Sequence, residues 1–183
     1  MNGMLVSDFY ETIIVERSKM IPEPLLKKLQ KKITESAHPR ELAIDVMYAL
    51  QHHYGYLCDE ALVEGAGLLG MTPLELEELA TFYDFIYREP VGRYVIHVCD
   101  SAVCWMFGHQ SLIDYLGEKL HIPLGGTTGD GMFSLLPVCC VGFCDQAPVM
   151  LINGKPYGHL TPATIDDILE KLREEEPPLV EDR

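Results

Sequence analysis

Arg93-Tyr94-Val95-Ile96-His97-Val98-Cys99-Asp100-Ser101-Ala102-Val103-Cys104 runs from a β-branched and aromatic segment straight into a pair of cysteines with four residues between them. Val, Ile and Tyr fit the pleated, half-buried surface of a strand, so a strand is predicted over 93–98 with Cys99 at its carboxyl end. A second close pair, Cys140-x3-Cys144, follows another strand-like run, Met132 to Val138. Thiolates are soft ligands. Four of them converging from two short loops make a site for an iron-sulfur cluster or a zinc ion.

Working outward, Gly108 to His121 reads as a helix with Leu112, Ile113, Leu116 and Leu120 on one face, and the glycine-rich stretch Gly125 to Gly131 as a mobile connection. Val149 to Asn153 is a further strand. Asn153-Gly154 is a strong hairpin-turn signal leading into a short strand near Lys155 to Tyr157. Thr161-Pro162 opens a closing helix that reaches about Glu175, and Pro177 onward reads as a loose acidic tail. The order strand, helix, strand, strand, helix suits a small α/β domain of thioredoxin-like shape, though order alone leaves the strand pairing open. Upstream the pattern is helical. Helices are predicted over Pro24 to Glu35, after His38-Pro39 to Gly55 (Ala43, Val46, Met47, Leu50 and Tyr54 on one face), over Asp59 to Leu69, and over Pro73 to Tyr83. Thr72-Pro73-Leu74-Glu75 supplies a capping hydroxyl, an N-terminal proline and a glutamate placed to return the bond. Gly65 and Gly67 weaken the third helix by about 1 kcal/mol each relative to alanine. Pro90-Val91-Gly92 breaks the helical pattern. The expected organisation is therefore a helical domain over 1–88, a cysteine-bearing α/β domain over 89–176 and a tail over 177–183.

The 183 residues carry 14 Lys and Arg against 28 Asp and Glu, a formal charge of -14 that repels a phosphate backbone and anionic lipid, so nucleic-acid binding is not expected. No run approaches the ~20 apolar residues of a membrane span, and residues 1–20 lack the order of a secretory signal. A cytoplasmic protein is expected, in which thiols stay reduced. Six cysteines are then better read as ligands than as disulfides.

Both spacings are compatible with a structural zinc site. The x4 interval favours a [2Fe-2S] cluster, because it lets a loop arch over two irons as in plant-type ferredoxins. Gly142 can take positive φ and bring backbone N-H groups near the sulfurs. Asp100 and Asp145 each adjoin a ligand. One carboxylate ~7 Å away at an effective dielectric of ~20 costs an added electron about 2 kcal/mol, or roughly 0.1 V, so a low-potential one-electron centre is expected.

At these residues the chain resembles a specific family, the thioredoxin-like [2Fe-2S] subunit of the NADH dehydrogenase module of respiratory complex I, known in bacteria as its E subunit. The resemblance spans roughly Ser36 to Arg173. It is carried by Gly55-Tyr56-Leu57, Leu69-Gly70-Met71, Ala80-Thr81-Phe82-Tyr83, Pro90-Val91-Gly92-Arg93, the first cysteine pair and Cys140-Val141-Gly142-Phe143-Cys144-Asp145-Gln146-Ala147-Pro148. It implies a fold of α/β (α+β) class, an N-terminal helical bundle followed by a thioredoxin-like [2Fe-2S] ferredoxin domain. It also implies that Cys99, Cys104, Cys140 and Cys144 are the cluster ligands, with Cys139 a non-ligand neighbour. Tryptophan is common in the family where Tyr56 stands, proline where Cys58 stands, and a bulkier residue where Gly65 stands.

Other residues carry less. His52, His53, His97, His109, His121 and His159 share no ligand spacing, and residues 125–131 fit neither a dinucleotide fingerprint nor a P-loop. Dithiol exchange would need Cys-x-x-Cys, which is absent from the sequence. No paired acids, triad or activated serine stand out, so no complete active site is expected in this chain. Without a nucleotide site, an electron carrier must take its electrons from another polypeptide. The resemblance implies that this is the flavin-containing, NADH-binding F subunit, holding FMN and NADH in a stable heterodimer within complex I. Alternatives are the equivalent small subunit of an NAD-linked hydrogenase or formate dehydrogenase and, from another class, a zinc-stabilised interaction module.

Overall fold

The computed structural model describes residues 21–175, so the stretch 1–20 and the acidic tail lie outside the description. The chain forms two compact units, one ending at Pro90 and the other beginning at Val91. The first is helical. It comprises α1 (Glu23–Glu35), a 3-10 turn (Pro39–Leu42), α2 (Ala43–Tyr54), α3 (Asp59–Leu69) and α4 (Pro73–Phe82). Gly55 and Gly70 end α2 and α3 at φ of 83° and 63°, a left-handed turn that costs glycine nothing. At α4 the Glu75 N-H donates to Thr72 Oγ1 (3.2 Å) and the Thr72 N-H donates to Glu75 Oε2 (2.8 Å), the reciprocal cap that the sequence predicts.

The core of this unit is built from Val46, Met47 and Leu50 of α2, Ala61, Leu62, Ala66 and Leu69 of α3, and Leu76 and Ala80 of α4. Gly65 lies within it. A Cβ there would stand 2.9 Å from Leu50 Cδ1, so the residue that weakens α3 locally also lets α2 approach it closely. Gln51 anchors the segment after α4, donating from Nε2 to the Phe85 carbonyl (2.9 Å) and accepting at Oε1 from the Tyr87 N-H (2.6 Å). Arg88 pairs with Asp59 and Glu77 and donates to the Leu57 carbonyl.

The second unit comprises β1 (Tyr94–Cys99), α5 (Ala102–Met106), α6 (His109–Leu120), β2 (Phe133–Val138), β3 (Met150–Ile152), β4 (Lys155–Tyr157) and α7 (Pro162–Glu174). The sheet has the order β2-β1-β3-β4, with β1 parallel to β2 and β3 antiparallel to both β1 and β4. All six residues of β1 are buried, as befits a central strand. Tyr94, Ile96 and Val98, alternating along β1, join Phe133 and Leu135 in a core with Leu112, Leu116 and Leu120 of α6 and Ile165, Leu169 and Leu172 of α7. The Asn153-Gly154 turn takes φ of 47° and 80°, and Asn153 also braces β1 by accepting from the Val95 N-H.

Two features depart from the sequence reading. The short helix α5 is absent from it, since five residues carry too little periodicity to register. The stretch 125–131, expected to be a mobile connection, is instead folded back on β2. The Gly125 N-H donates to the Leu135 carbonyl (2.7 Å), the Thr128 N-H to the Phe133 carbonyl (2.8 Å), and Thr127 bridges to Ser134. Ser134 Oγ, fully buried, also accepts from the Gly92 N-H (2.7 Å). Gly92 sits so close that an added Cβ would lie 2.8 Å from the Phe133 carbonyl carbon and 3.0 Å from two backbone nitrogens. Backbone atoms cannot swing aside as a side-chain tip can. Gly92→Ala is expected to cost about 2 kcal/mol, read as a fall in Tm of roughly 4–8 °C, and an unchanged Tm would show that the approach is looser.

Candidate metal centre

Parallel pairing decides where the cysteines meet. Cys99 is the last residue of β1 and lies in register with Val138, the last residue of β2, so the loops that follow leave the same end of the sheet, the carboxyl end of the two strands. The Asp100 N-H extends the ladder by one bond to the Val138 carbonyl (2.8 Å), and the Cys99 N-H donates to the Val149 carbonyl (3.2 Å). Ser101 is extended and α5 begins at once. The x4 interval is therefore a strand end, a two-residue corner and one helical turn, which together carry Cys104 back beside Cys99. Both are buried, at 2% exposure, in a small apolar cluster with Ala147 and Val149.

The second loop is built from turns. Gly142 stands at φ of 84°, Cys144–Gln146 form a 3-10 turn, and the cis Ala147-Pro148 bond leads into β3. Cys140 Sγ and Cys144 Sγ lie 3.6 Å apart. Both are exposed, as is Cys139. All six cysteines are free thiols.

The surroundings of the thiols differ. Burial pushes Cys104 up to about 11, against the opposing effect of the Val149 N-H. At Cys140 the Gly142 N-H acts first, followed by the Cys144 and Ser101 side chains, and together they hold the thiol below its ordinary value. The hydrogen bond with Cys140, followed by burial, pushes Cys144 above it. Backbone N-H groups are thus directed at two of the sulfurs, one in each pair. That is how a protein stabilises negative charge on sulfur and tunes a cluster bound through it.

These residues fit an iron-sulfur group on the chemistry of the donor set. Metal-thiolate bonds of about 2.3 Å in a tetrahedron place two sulfurs on one metal atom roughly 3.8 Å apart, close to the Cys140–Cys144 distance. Cys99 with Cys104 and Cys140 with Cys144 form two pairs, which is the supply that a two-iron cluster needs.

Some residues around the site are invisible to sequence reasoning. His109, read there as an isolated histidine, is buried at the start of α6 with Nε2 3.3 Å from Asp100 Oδ1, so the carboxylate beside Cys99 has a partner. Ser101 and the Val149 N-H reach sulfurs that no spacing rule connects to them. Gly158 packs against Gln146 of the second loop, and the neighbouring His159 N-H donates to the Gln146 carbonyl (2.6 Å). The one available signal was glycine itself, in Tyr157-Gly158-His159 after the last strand.

Residues 29–173 match the thioredoxin-like [2Fe-2S] ferredoxin family. The chain is 43% identical over 135 residues to the E subunit of NADH-quinone oxidoreductase from Escherichia coli (strain K12), covering 74% of this chain and 81% of that protein. It is 42% identical over 132 residues to the protein of the same name from Pseudomonas aeruginosa, covering 72% of this chain and 80% of the relative. Among solved structures, an NAD+-reducing [NiFe]-hydrogenase in the air-oxidized state aligns with a TM-score of 0.60 at 34% identity, over 70% of this chain and 22% of that one.

Proposed function

Because this chain belongs to the thioredoxin-like [2Fe-2S] ferredoxin family, we propose that it is the one-electron carrier subunit of an NADH:quinone oxidoreductase, with a cluster held by Cys99, Cys104, Cys140 and Cys144. The observation that carries the reading is the parallel pairing of β1 with β2, which brings four free thiols to the carboxyl end of these strands. When bound there, a [2Fe-2S] cluster supplies a centre that takes up and releases single electrons. The chain's own residues do the rest. Cys99 and Cys104 anchor the group from a buried, apolar side, while Cys140 and Cys144 hold it from an exposed one. The open side is where a redox partner can approach. N-H donors from Gly142 and Val149 favour added negative charge, whereas Asp100 and Asp145 oppose it.

The donor of electrons in this reading is a flavin-containing subunit that oxidises NADH on FMN, bound to this chain in a stable heterodimer within the larger complex. No described helix is long and apolar enough to cross a membrane. Attachment to a membrane, in this reading, runs through partner subunits on the cytoplasmic side. The similarity to an NAD+-reducing hydrogenase supports a second reading, the equivalent carrier of such an enzyme. Higher identity to the NADH-quinone oxidoreductase proteins favours the first. Co-purifying subunits separate the two.

The test is elemental and spectroscopic. Purified without oxygen, the chain is expected to hold about two irons and two acid-labile sulfides, to be reddish-brown, and to give a paramagnetic signal on one-electron reduction with a midpoint below 0 V. Stoichiometric zinc without sulfide would overturn the proposal.

A further inference from the structure

Two acidic residues adjoin candidate ligands, Asp100 after Cys99 and Asp145 after Cys144, and a buried imidazole faces the first of them. His109 Nε2 stands 3.3 Å from Asp100 Oδ1, with the histidine side chain 5% exposed and the aspartate side chain 61%. An ionised carboxylate can only accept, so the nitrogen turned toward it carries a proton. The other ring nitrogen, Nδ1, is buried with no hydrogen-bond partner among the described residues. Burying a polar ring is unfavourable unless its groups are engaged. Capping does not account for the position, since His109 is the first residue of α6, the cap is Gly108 at φ of 96°, and no side chain closes that end of the helix. What the buried ring does there is meet Asp100.

The place of Asp100 makes that contact matter to the neighbouring sulfur. Its N-H donates to the Val138 carbonyl (2.8 Å), which ties its main chain to the end of β2 and leaves the carboxylate only its own side-chain torsions to move by. The charge therefore stays beside Cys99. That cysteine is buried in an apolar cluster with Cys104, Ala147 and Val149, where water screens little. Gly108, in its left-handed conformation, turns the chain from α5 into α6, so the two ends of the segment that carries Cys104 come together at Asp100 and His109.

We propose that His109 is a positioning residue of the metal centre: its ring holds the Asp100 carboxylate and offsets that charge, so the centre accepts an electron more readily than it would beside a free aspartate. The inference rests on the functional reading above and adds to it a residue that regulates the same site. His109 acts through Asp100 and is not a ligand. A positive pole directed at a carboxylate opposes the field that the carboxylate exerts on a reduced cluster, which is how residues outside a ligand set tune the metal within it.

The test is a redox titration of the cluster-loaded chain, followed by its reduced-state paramagnetic signal, in a double-mutant cycle. His109→Phe is expected to lower the ratio of reduced to oxidised protein at a fixed applied potential by about threefold to tenfold, or roughly 30–60 mV for a one-electron centre, with iron content as in the parent. Asp100→Asn is expected to raise the ratio. Adding His109→Phe to Asp100→Asn is expected to change it no further, because the ring then has no charge to offset. His109→Gln, whose amide N-H can still donate, is expected to stay within about twofold of the parent. An unshifted His109→Phe protein with its cluster intact, or a shift of the same size with and without the Asp100 charge, overturns the proposal while the functional reading stands. A parent without iron and sulfide overturns that reading, and this inference with it. If His109→Phe holds no iron, His109→Met, flexible and without a donor, takes its place in the cycle. Loss of iron from both would mean that the ring holds the loop rather than tunes the centre, and the proposal would fall.

Discussion

Cys104→Ser is expected to leave the purified protein nearly colourless, with iron falling from about two per chain to a small fraction and the reduced-state signal lost. Serine replaces a soft sulfur with a hard oxygen that holds its proton, and it does so at a buried position, 2% exposed, where solvent has little access. Cys99→Ser is expected to behave in the same way. At the exposed edge, Cys140→Ser and Cys144→Ser are expected to leave a weakened or shifted spectrum, because solvent can complete a defective coordination sphere there. Cys139→Ser and Cys58→Ser are the controls, and both should keep the parent spectrum. An unaltered signature in all four ligand variants would remove the basis for the proposed cluster, and a colourless Cys139→Ser protein would mean that the ligand set is misassigned.

Gly158→Ala is expected to damage the same centre from outside it. A Cβ at Gly158 would lie 2.5 Å from Gln146 Cβ and 2.9 Å from both the Gln146 carbonyl oxygen and Oε1. Oε1 is the tip of a flexible side chain and can swing away, but the Cβ and the main-chain oxygen cannot. The turn Cys144–Gln146 must therefore move, and Cys144 with it. The cost is expected to be about 2–3 kcal/mol, together with the loss of half or more of the bound iron, read by thermal unfolding and by iron analysis of the same preparation. Gly129→Ala is the comparison. An added Cβ there meets nothing within 4 Å, so stability and iron content should be unchanged. If Gly158→Ala were as stable and as iron-rich as the Gly129 variant, the contact with Gln146 would not be what positions the second loop.

The two predictions differ in how far they could be foreseen. Cysteine type and spacing announce the ligand candidates because thiolate chemistry is a property of the residue, and a spacing of three or four residues keeps a pair together in almost any loop. Helices with caps were legible for a similar reason. Thr72, Pro73 and Glu75 satisfy one another within a single turn, and Gly55 and Gly70 stop helices through their own backbone freedom. The hairpin at Asn153-Gly154 was equally local. The helix α5 was missed although it carries Cys104, because it is held by its place between β1 and α6 more than by any pattern of its own.

By itself, then, the sequence determined the helices between residues 23 and 82, the strands that lead to each cysteine pair and the soft donor set. Tertiary structure alone decided that β1 lies between a parallel and an antiparallel neighbour, that both cysteine loops follow the carboxyl ends of the parallel pair, that Asp100 meets His109, that Gly158 buttresses Gln146, and that the aromatic residues after Cys104 are exposed. The division follows range. Caps, turns and ligand chemistry act over a few bonds and are written in neighbouring residues, whereas pairing, close approach and exposure depend on segments far apart in the chain, which only the packed core brings together.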